Sequence, residues 1–327
     1  MSSEPILEVK NLQVNLKLKE GIFPVVNRVN FNLYPGKTLA LVGESGCGKT
    51  MTALSLLRLN DDANVMPLEG EVLYRGENLL TVSEKRLRKV RGAKISMVFQ
   101  DPTTSLNPLY TIGNQLMEVL FTHFSIEDDE AFECCIEALR SVGIPDPVMR
   151  MDEYPHELSG GMRQRVMIAM AILCNPEILI ADEPTTALDV TIQAQVLELI
   201  SELQQKNGMS VLLITHDLGI VGEMADDVTV MYATEIVESG SMEQIFKSAS
   251  HPYTKALFAA SKRVKKDSIH LDTIKGSVPP LNALPSGCKF HPRCPFVFAP
   301  CYQGEVPNFR VGEHPEHLSK CWLEKKT

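Results

Sequence analysis

"TLALVGESGCGKTMTALSLL", residues 38–57, decides the fold. Thr38–Val42 is short, apolar and partly β-branched, and a run of helix formers begins at Met51. Between them stand Gly43, Glu44, Ser45, Gly46, Cys47, Gly48, Lys49 and Thr50, the G-x-x-x-x-G-K-T pattern. A strand, a glycine-rich turn and a helix in that order form a phosphate-binding loop. Gly43, Gly46 and Gly48 let the backbone wrap a phosphate chain without clash, so that successive N–H groups converge on it. Lys49 brings a mobile positive charge to the β- and γ-phosphates, and the Thr50 hydroxyl is placed to ligate Mg²⁺. The flanking strand and helix argue against a chance glycine turn. The expectation is an α/β P-loop nucleoside triphosphatase.

Downstream, "ILIADEP" at 178–184 reads as a buried strand whose C-terminal end carries two acids, where open α/β sheets place their ligands. Asp182 would hold magnesium, and Glu183 would take a proton from the attacking water. Adjacent carboxylates repel, and a divalent cation between one of them and the phosphates relieves that repulsion. Gln100 ends "ISMVFQ" and His216 follows "SVLLIT"; taken singly, such a residue is more often structural or merely surface-exposed. "LSGGMRQR" at 158–165 opens a segment with Met162, Val166, Met170 and Leu173 at helical spacing. A Ser159-Gly160-Gly161 start leaves bare N–H groups at a helix N-terminus, which makes a second anion site.

The remaining texture is alternating strand and helix. Ile95–Phe99, Ile178–Ala181 and Val211–Thr215 join Thr38–Val42 as short strands of a mostly parallel sheet. Between Asp101 and Ser159 the strand signal fades, and Phe132–Leu139 is the clearest amphipathic piece. A helical subdomain over about 103–165 is expected within a domain of residues 1–240. After residue 240, "HPYTKALFAASKRVKK" reads as a helix with a basic tail, and the rest of 241–327 is rich in Pro, Gly, Cys and His.

Bulk composition excludes several classes. The 327 residues are 44% hydrophobic and 22% charged, with a net charge of −9, whereas general nucleic-acid binders carry a basic surplus. "MSSEPILEVKNLQVN" lacks the basic-then-apolar pattern of a signal peptide, and the longest apolar run, Val166–Cys174, is too short to span a bilayer. A soluble cytoplasmic protein is expected, reaching any membrane through a partner. Cys288, Cys294, Cys301 and Cys321 crowd the last forty residues. Their intervals are wider than zinc sites use, and a reducing cytoplasm disfavours disulfides. Four thiolates on a Pro-rich loop fit a [4Fe–4S] cluster better. Zinc, joined by His291, His314 or His317, and an inert reduced tail stay open.

The order of motifs brings in a resemblance. Gly43–Thr50, Gln100, "LSGGMRQR", Asp182–Glu183, "ALD" at 187–189 and His216 resemble the ATP-binding subunits of ABC transporters. The resemblance implies that Ser159, Gly160 and Gly161 cover the γ-phosphate held by a second ATPase subunit, with Asp189 at the dimer seam. It implies Glu183, His216 and Gln100 as catalytic residues, with Thr50, Gln100 and Asp182 around Mg²⁺. "FQDPTTSLNPLYTIGNQL" at 99–116, "HPYTKAL" at 251–257 and the cysteine-rich tail look like the branch importing dipeptides, oligopeptides or nickel. That branch implies a heterodimeric ATPase pair, two integral-membrane permease subunits, an extracytoplasmic solute-binding protein, no nucleic acid, and a [4Fe–4S] cluster on the four cysteines. It places the chain at the cytoplasmic face of the inner membrane, with the helical insertion meeting the permease. Nothing in the sequence couples the cysteines to the hydrolysis site. Two departures stand out. Leu16 occupies the expected place of the adenine-stacking aromatic, with Phe23 the nearest ring, and Ala233 and Thr234 replace a glycine turn. The competing reading, a non-transport ABC ATPase acting on ribosomes or DNA, calls for two nucleotide domains in one chain or long coiled coils, plus basic surfaces; none is visible.

Overall fold

The computed structural model describes residues 4–60, 63–186, 189–261 and 274–325. The chain begins with β1 (Leu7–Leu18), β2 (Gly21–Leu33), β3 (Thr38–Val42), α1 (Lys49–Leu56), β4 (Glu69–Tyr74) and β5 (Glu77–Asn78). It continues through α2 (Glu84–Arg88), β6 (Ile95–Val98), α3 (Pro102–Ser105), α4 (Ile112–His123), α5 (Asp128–Ser141), α6 (Pro147–Arg150) and α7 (Gly160–Ile172). Next come β7 (Ile178–Asp182), α8 (Val190–Asn207), β8 (Ser210–Thr215), α9 (Leu218–Met224), β9 (Asp227–Tyr232) and β10 (Glu235–Ser241). The last elements are α10 (Met242–Ser248), α11 (Pro252–Ser261), β11 (Phe309–Arg310) and β12 (Leu318–Ser319). Ala187 and Leu188 of the "ALD" motif, and the basic end of the expected 251–266 helix, lie outside the described residues. By packing, the described residues of 1–81 and 214–327 form one compact unit, and 82–213 form another.

In the first unit, β1 pairs antiparallel with β2 (Leu7↔Leu33, Val9↔Phe31) and with β4 (Leu7↔Tyr74, Val9↔Val72). Leu7, Val9, Leu12 and Val14 are buried while Asn11 is exposed, so one face of this sheet supplies core. A second sheet sets β3 parallel to β9, then continues antiparallel through β10, β12 and β11. Its core holds Ala40, Val42, Val228, Val230 and Tyr232 from the strands, with Tyr253 and Phe290 from the C-terminal part. The Tyr232 ring lies 4.6 Å from Tyr253 and 5.2 Å, edge-on, from Phe290. Such contacts add to area burial, which itself contributes about 25 cal/mol per Å².

β9 and β10 are joined by Ala233 and Thr234, both in the left-handed region at φ 42° and 79°. A two-residue hairpin favours positive φ at both positions because that twist matches the strands. Thr234 N–H donates to the Cys47 carbonyl at 3.0 Å, and its own carbonyl accepts from Asn27 at 2.8 Å. The turn is held against the glycine loop.

In the second unit, β6 and β7 pair in parallel, Ile95↔Ile178 to Val98↔Ala181, and β8 lies beside β7. Among the described residues between β6 and β7 there is no strand, only α3 to α7 and a short turn. Helix α7 forms where the apolar spacing places it, yet its burial differs from the expected stripe. Val166 is buried, but Met162, Met170 and Leu173 are only half so, while Gln164, Met167, Ile168, Ala169, Ala171 and Ile172 are buried. The helix meets α3, α4, α5, α8 and β6, so no single stripe describes it. No helix among the described residues is long and apolar enough to cross a membrane.

Candidate nucleotide site

The glycine loop expected to bind phosphate, Gly43–Thr50, lies in the first unit between β3 and α1. Gly48 caps α1 at φ 109° with no side-chain cap, and the first helical turn carries no acid. A Cβ at Gly48 would stand 2.4 Å from the Val25 carbonyl oxygen, so only glycine fits. The helix therefore offers bare N–H groups and the positive end of its dipole. Lys49 is 5% exposed. Its Nζ folds back to donate to the Gly43 carbonyl at 2.8 Å and the Glu44 carbonyl at 3.2 Å. Ser45, Gly46 and Thr50 are exposed, whereas Cys47 is buried and its thiol is pushed up by desolvation, which keeps it protonated. His216 belongs to this unit, exposed one residue past β8 and just before Asp217, which caps α9 through Gly219 N–H at 2.8 Å. Leu16 and Phe23 face each other across β1 and β2, both half-buried.

The second unit carries the acids. Every residue of β7 is buried, Asp182 to 1% exposure. Glu183 follows at φ 46°, a left-handed conformation that costs a non-glycine residue about 1 kcal/mol or more. Gln100 Nε2 donates to Glu183 Oε2 at 3.0 Å, and Thr186 Oγ1 donates to the same oxygen at 2.9 Å. The strained backbone and these donors together aim one carboxylate. Thr186 is a neighbour of that carboxylate that sequence reading does not single out.

The same unit holds the Ser-Gly-Gly helix start. Ser159 caps α7, its hydroxyl accepting from Met162 N–H at 3.3 Å, and Ser159 is exposed. A Cβ at Gly160 would meet nothing within 4 Å, so this end is open. Gln164, buried to 1% exposure, donates from Nε2 to the Pro184 carbonyl at 2.7 Å and so ties α7 to the residue after Glu183. Asp189 caps α8 through the amides of Thr191 and Ile192 at 3.1 and 3.0 Å.

The C-terminal part reaches the phosphate loop directly, a coupling the sequence does not reveal. Arg293 donates to both carboxylate oxygens of Glu44 at 2.7 and 3.1 Å, and the Tyr253 hydroxyl accepts from Glu44 N–H at 3.0 Å. Beside this contact, Cys288, Cys294, Cys301 and Cys321 line one pocket with Phe290, Phe296 and Trp322. All four thiols are free. Burial pushes Cys288 up to about 11 and Cys321 up to about 12, and it raises Cys294 as well. Among the described residues, no group of three or more His, Cys, Asp or Glu side chains is arranged to hold a metal, so the geometry lends the expected [4Fe–4S] cluster no support. His291 turns Nδ1 to the Cys288 carbonyl at 2.9 Å, and His317 pairs with Glu238 at 2.8 Å.

Residues 26–186 match the ABC transporter family, and residues 237–301 match the C-terminal region of oligopeptide/dipeptide transporters. A peptide import ATP-binding protein of Brucella abortus is 52% identical over 92% of this chain and 90% of the relative. Another, from Brucella ovis, is 48% identical over 99% of both chains. A dimeric ATP-binding cassette solved in a post-hydrolysis state with ADP and Pi aligns with TM-score 0.64 and 27% identity, covering 72% of this chain and 98% of that one. A subunit of an ABC transporter complex from Clostridium perfringens aligns with TM-score 0.62 and 26% identity, over 75% of this chain and 92% of that one.

Proposed function

This chain belongs to the ABC transporter family, in its peptide-import branch, as an ATP-hydrolysing subunit; beyond that, we propose the residue roles, partners and metal content that follow. Lys49 and the amides of Gly46–Thr50 take the β- and γ-phosphates. Thr50, Gln100 and Asp182 would hold Mg²⁺, which would screen the phosphate charge. Glu183 accepts the proton of the attacking water while the water oxygen bonds to the γ-phosphorus and the β–γ bridging bond breaks, giving ADP and Pi. His216 orients the γ-phosphate. Ser159, Gly160 and Gly161 serve the nucleotide held by a second, different ATPase subunit, with Asp189 at the seam, so hydrolysis needs the pair.

The observation that carries the hydrolytic reading is the Gln100–Glu183 contact at 3.0 Å, on a backbone bent to φ 46°. Glu183→Gln is expected to lower ATP hydrolysis by about 100-fold or more while raising the ATP-bound dimer fraction in gel filtration. Unchanged turnover would remove Glu183 from that role.

The permease is proposed to dock on the helical region. Leu109 and Tyr110 are 79% and 56% exposed, and Val148 and Met149 are 59% and 54% exposed. The two pairs lie on adjacent segments, since Ile112 and Gly113 N–H donate to the carbonyls of Glu153 and Met151 at 2.8 Å. Exposed apolar groups so placed suit a partner surface. Through that permease the chain sits at the cytoplasmic face of the membrane, and the solute-binding protein acts from the other side.

The four cysteines are assigned to a [4Fe–4S] cluster. What supports this reading is that the four thiols line one shared pocket and that their sequence intervals are wider than zinc sites use. When bound, the cluster would cross-link the loops around Cys288, Cys294, Cys301 and Cys321. Anaerobically purified protein is expected to be brown, with about four iron and four sulfide per chain. Colourless protein with about one zinc would reassign the site.

A further inference from the structure

Glu44 is an awkward residue to find in a phosphate-binding loop, because its carboxylate carries the same sign as the triphosphate the loop receives. The Arg293 guanidinium meets both of its oxygens, at 2.7 and 3.1 Å, with the Arg293 side chain 6% exposed and that of Glu44 25%. Arg293 is itself fixed from several directions. Its Nε donates to the Lys275 carbonyl at 2.9 Å, and its Nη2 lies 3.3 Å from the carbonyls of Ile274 and Gly276. The guanidinium also stands 5.7 Å from the Tyr232 ring and 5.9 Å from that of Phe290. A fork held this way loses little freedom on pairing and recognises a carboxylate bidentately. Tyr253 completes the grip by accepting from Glu44 N–H at 3.0 Å, which fixes the first turn of the loop.

We propose that Arg293, supplied by the C-terminal extension, is a positioning residue for ATP binding, cancelling the charge of Glu44 and holding it so that the loop can receive a triphosphate. The inference rests on the reading that Gly43–Thr50 binds ATP. Its consequence is specific to charge. Without Arg293, Glu44 becomes an unpaired anion in the phosphate loop; without both charges, the repulsion is gone.

The test is calorimetric titration of Mg·ATP into the full-length chain. Arg293→Gln is expected to weaken binding by about tenfold, the loss of one charge-assisted pair. In the assembled transporter the same variant raises KM for ATP and leaves kcat within about twofold. Adding Glu44→Gln to Arg293→Gln is expected to recover most of the lost affinity, a sign of coupling that mere loss of packing does not give. Arg293→Lys, which keeps the charge and loses the fork, is expected to fall about threefold below wild type and serves if the glutamine variant fails to fold. The inference fails if Arg293→Gln, or Arg293→Lys in its stead, binds like wild type, or if the double variant binds no better than Arg293→Gln. A wild-type chain that binds no ATP, or a Lys49→Ala chain that binds it undiminished, would instead overturn the nucleotide reading beneath it.

Discussion

Gln164 joins two motifs through one amide. It sits five residues into the helix-opening stretch after Ser159, is 1% exposed, and spends its Nε2 on the Pro184 carbonyl at 2.7 Å. Gln164→Leu keeps the bulk and removes the donor, leaving a buried carbonyl unmade at a cost of about 1–3 kcal/mol. The urea midpoint is expected to fall accordingly, and kcat with it, because Pro184 follows the strained Glu183; a variant with wild-type midpoint and turnover would show the bond idle. The glycine loop and the two acids stand out in the sequence because the phosphate chemistry proposed for them demands fixed residue types at fixed spacing. Gln164 does not, since polar residues in a helical pattern read as the solvent side. On a helix surrounded by neighbours that rule has no purchase. Arg293 is hidden for a different reason: nothing in "HPRC" marks it as paired, and its partner Glu44 is 249 residues away.

At the scale of elements, β3, β6, β7 and β8 lie within a residue or so of their sequence expectations. Each is a short apolar run closed by polar or glycine residues, so local pattern and burial agree. The antiparallel sheet of β1, β2, β4 and β5 gave no such signal. Its longest pairing shifts register between Val9 and Leu12, between Leu12 and Val14, and again at Asn15, so the alternation of two that marks a strand is interrupted where it would be read. The turn at Ala233 and Thr234 is legible as an oddity but not as a strained one. Its positive φ values appear only with the hairpin, and the bond from Thr234 N–H to the Cys47 carbonyl shows how the loop and the turn hold each other. The expected face of α7 is the clearest departure, and it has the same cause as the missed Gln164: the helix is packed on most sides.

At the scale of the molecule, the first unit is assembled from residues far apart in the chain, and Glu238 helps close it. This β10 residue is 1% exposed and accepts from Ser250 N–H at 2.6 Å and His251 N–H at 2.9 Å, with His317 Nε2 at 2.8 Å. It therefore fastens the start of α11 and the segment entering β12 to one strand. Desolvation pushes its carboxyl up, but the bonds from His317 and the two amides outweigh burial and hold it below the usual glutamate range. A depressed carboxyl contributes stability that is present above its unfolded value and lost as pH falls. The wild type is therefore expected to weaken as pH drops below about 4.3, where the unfolded chain takes up the proton first. Glu238→Gln abolishes that dependence at this site and costs about 3 kcal/mol near neutrality, because the amide cannot satisfy the donors that a charge does. Urea unfolding from pH 7 to pH 3 measures both effects. A variant as stable as wild type at pH 7, or one whose stability falls as steeply in acid, would mean that the tail is fastened to β10 by packing alone. In that case Tyr253 and Phe290, in the aromatic core with Tyr232, would have to keep Arg293 in register with the phosphate loop.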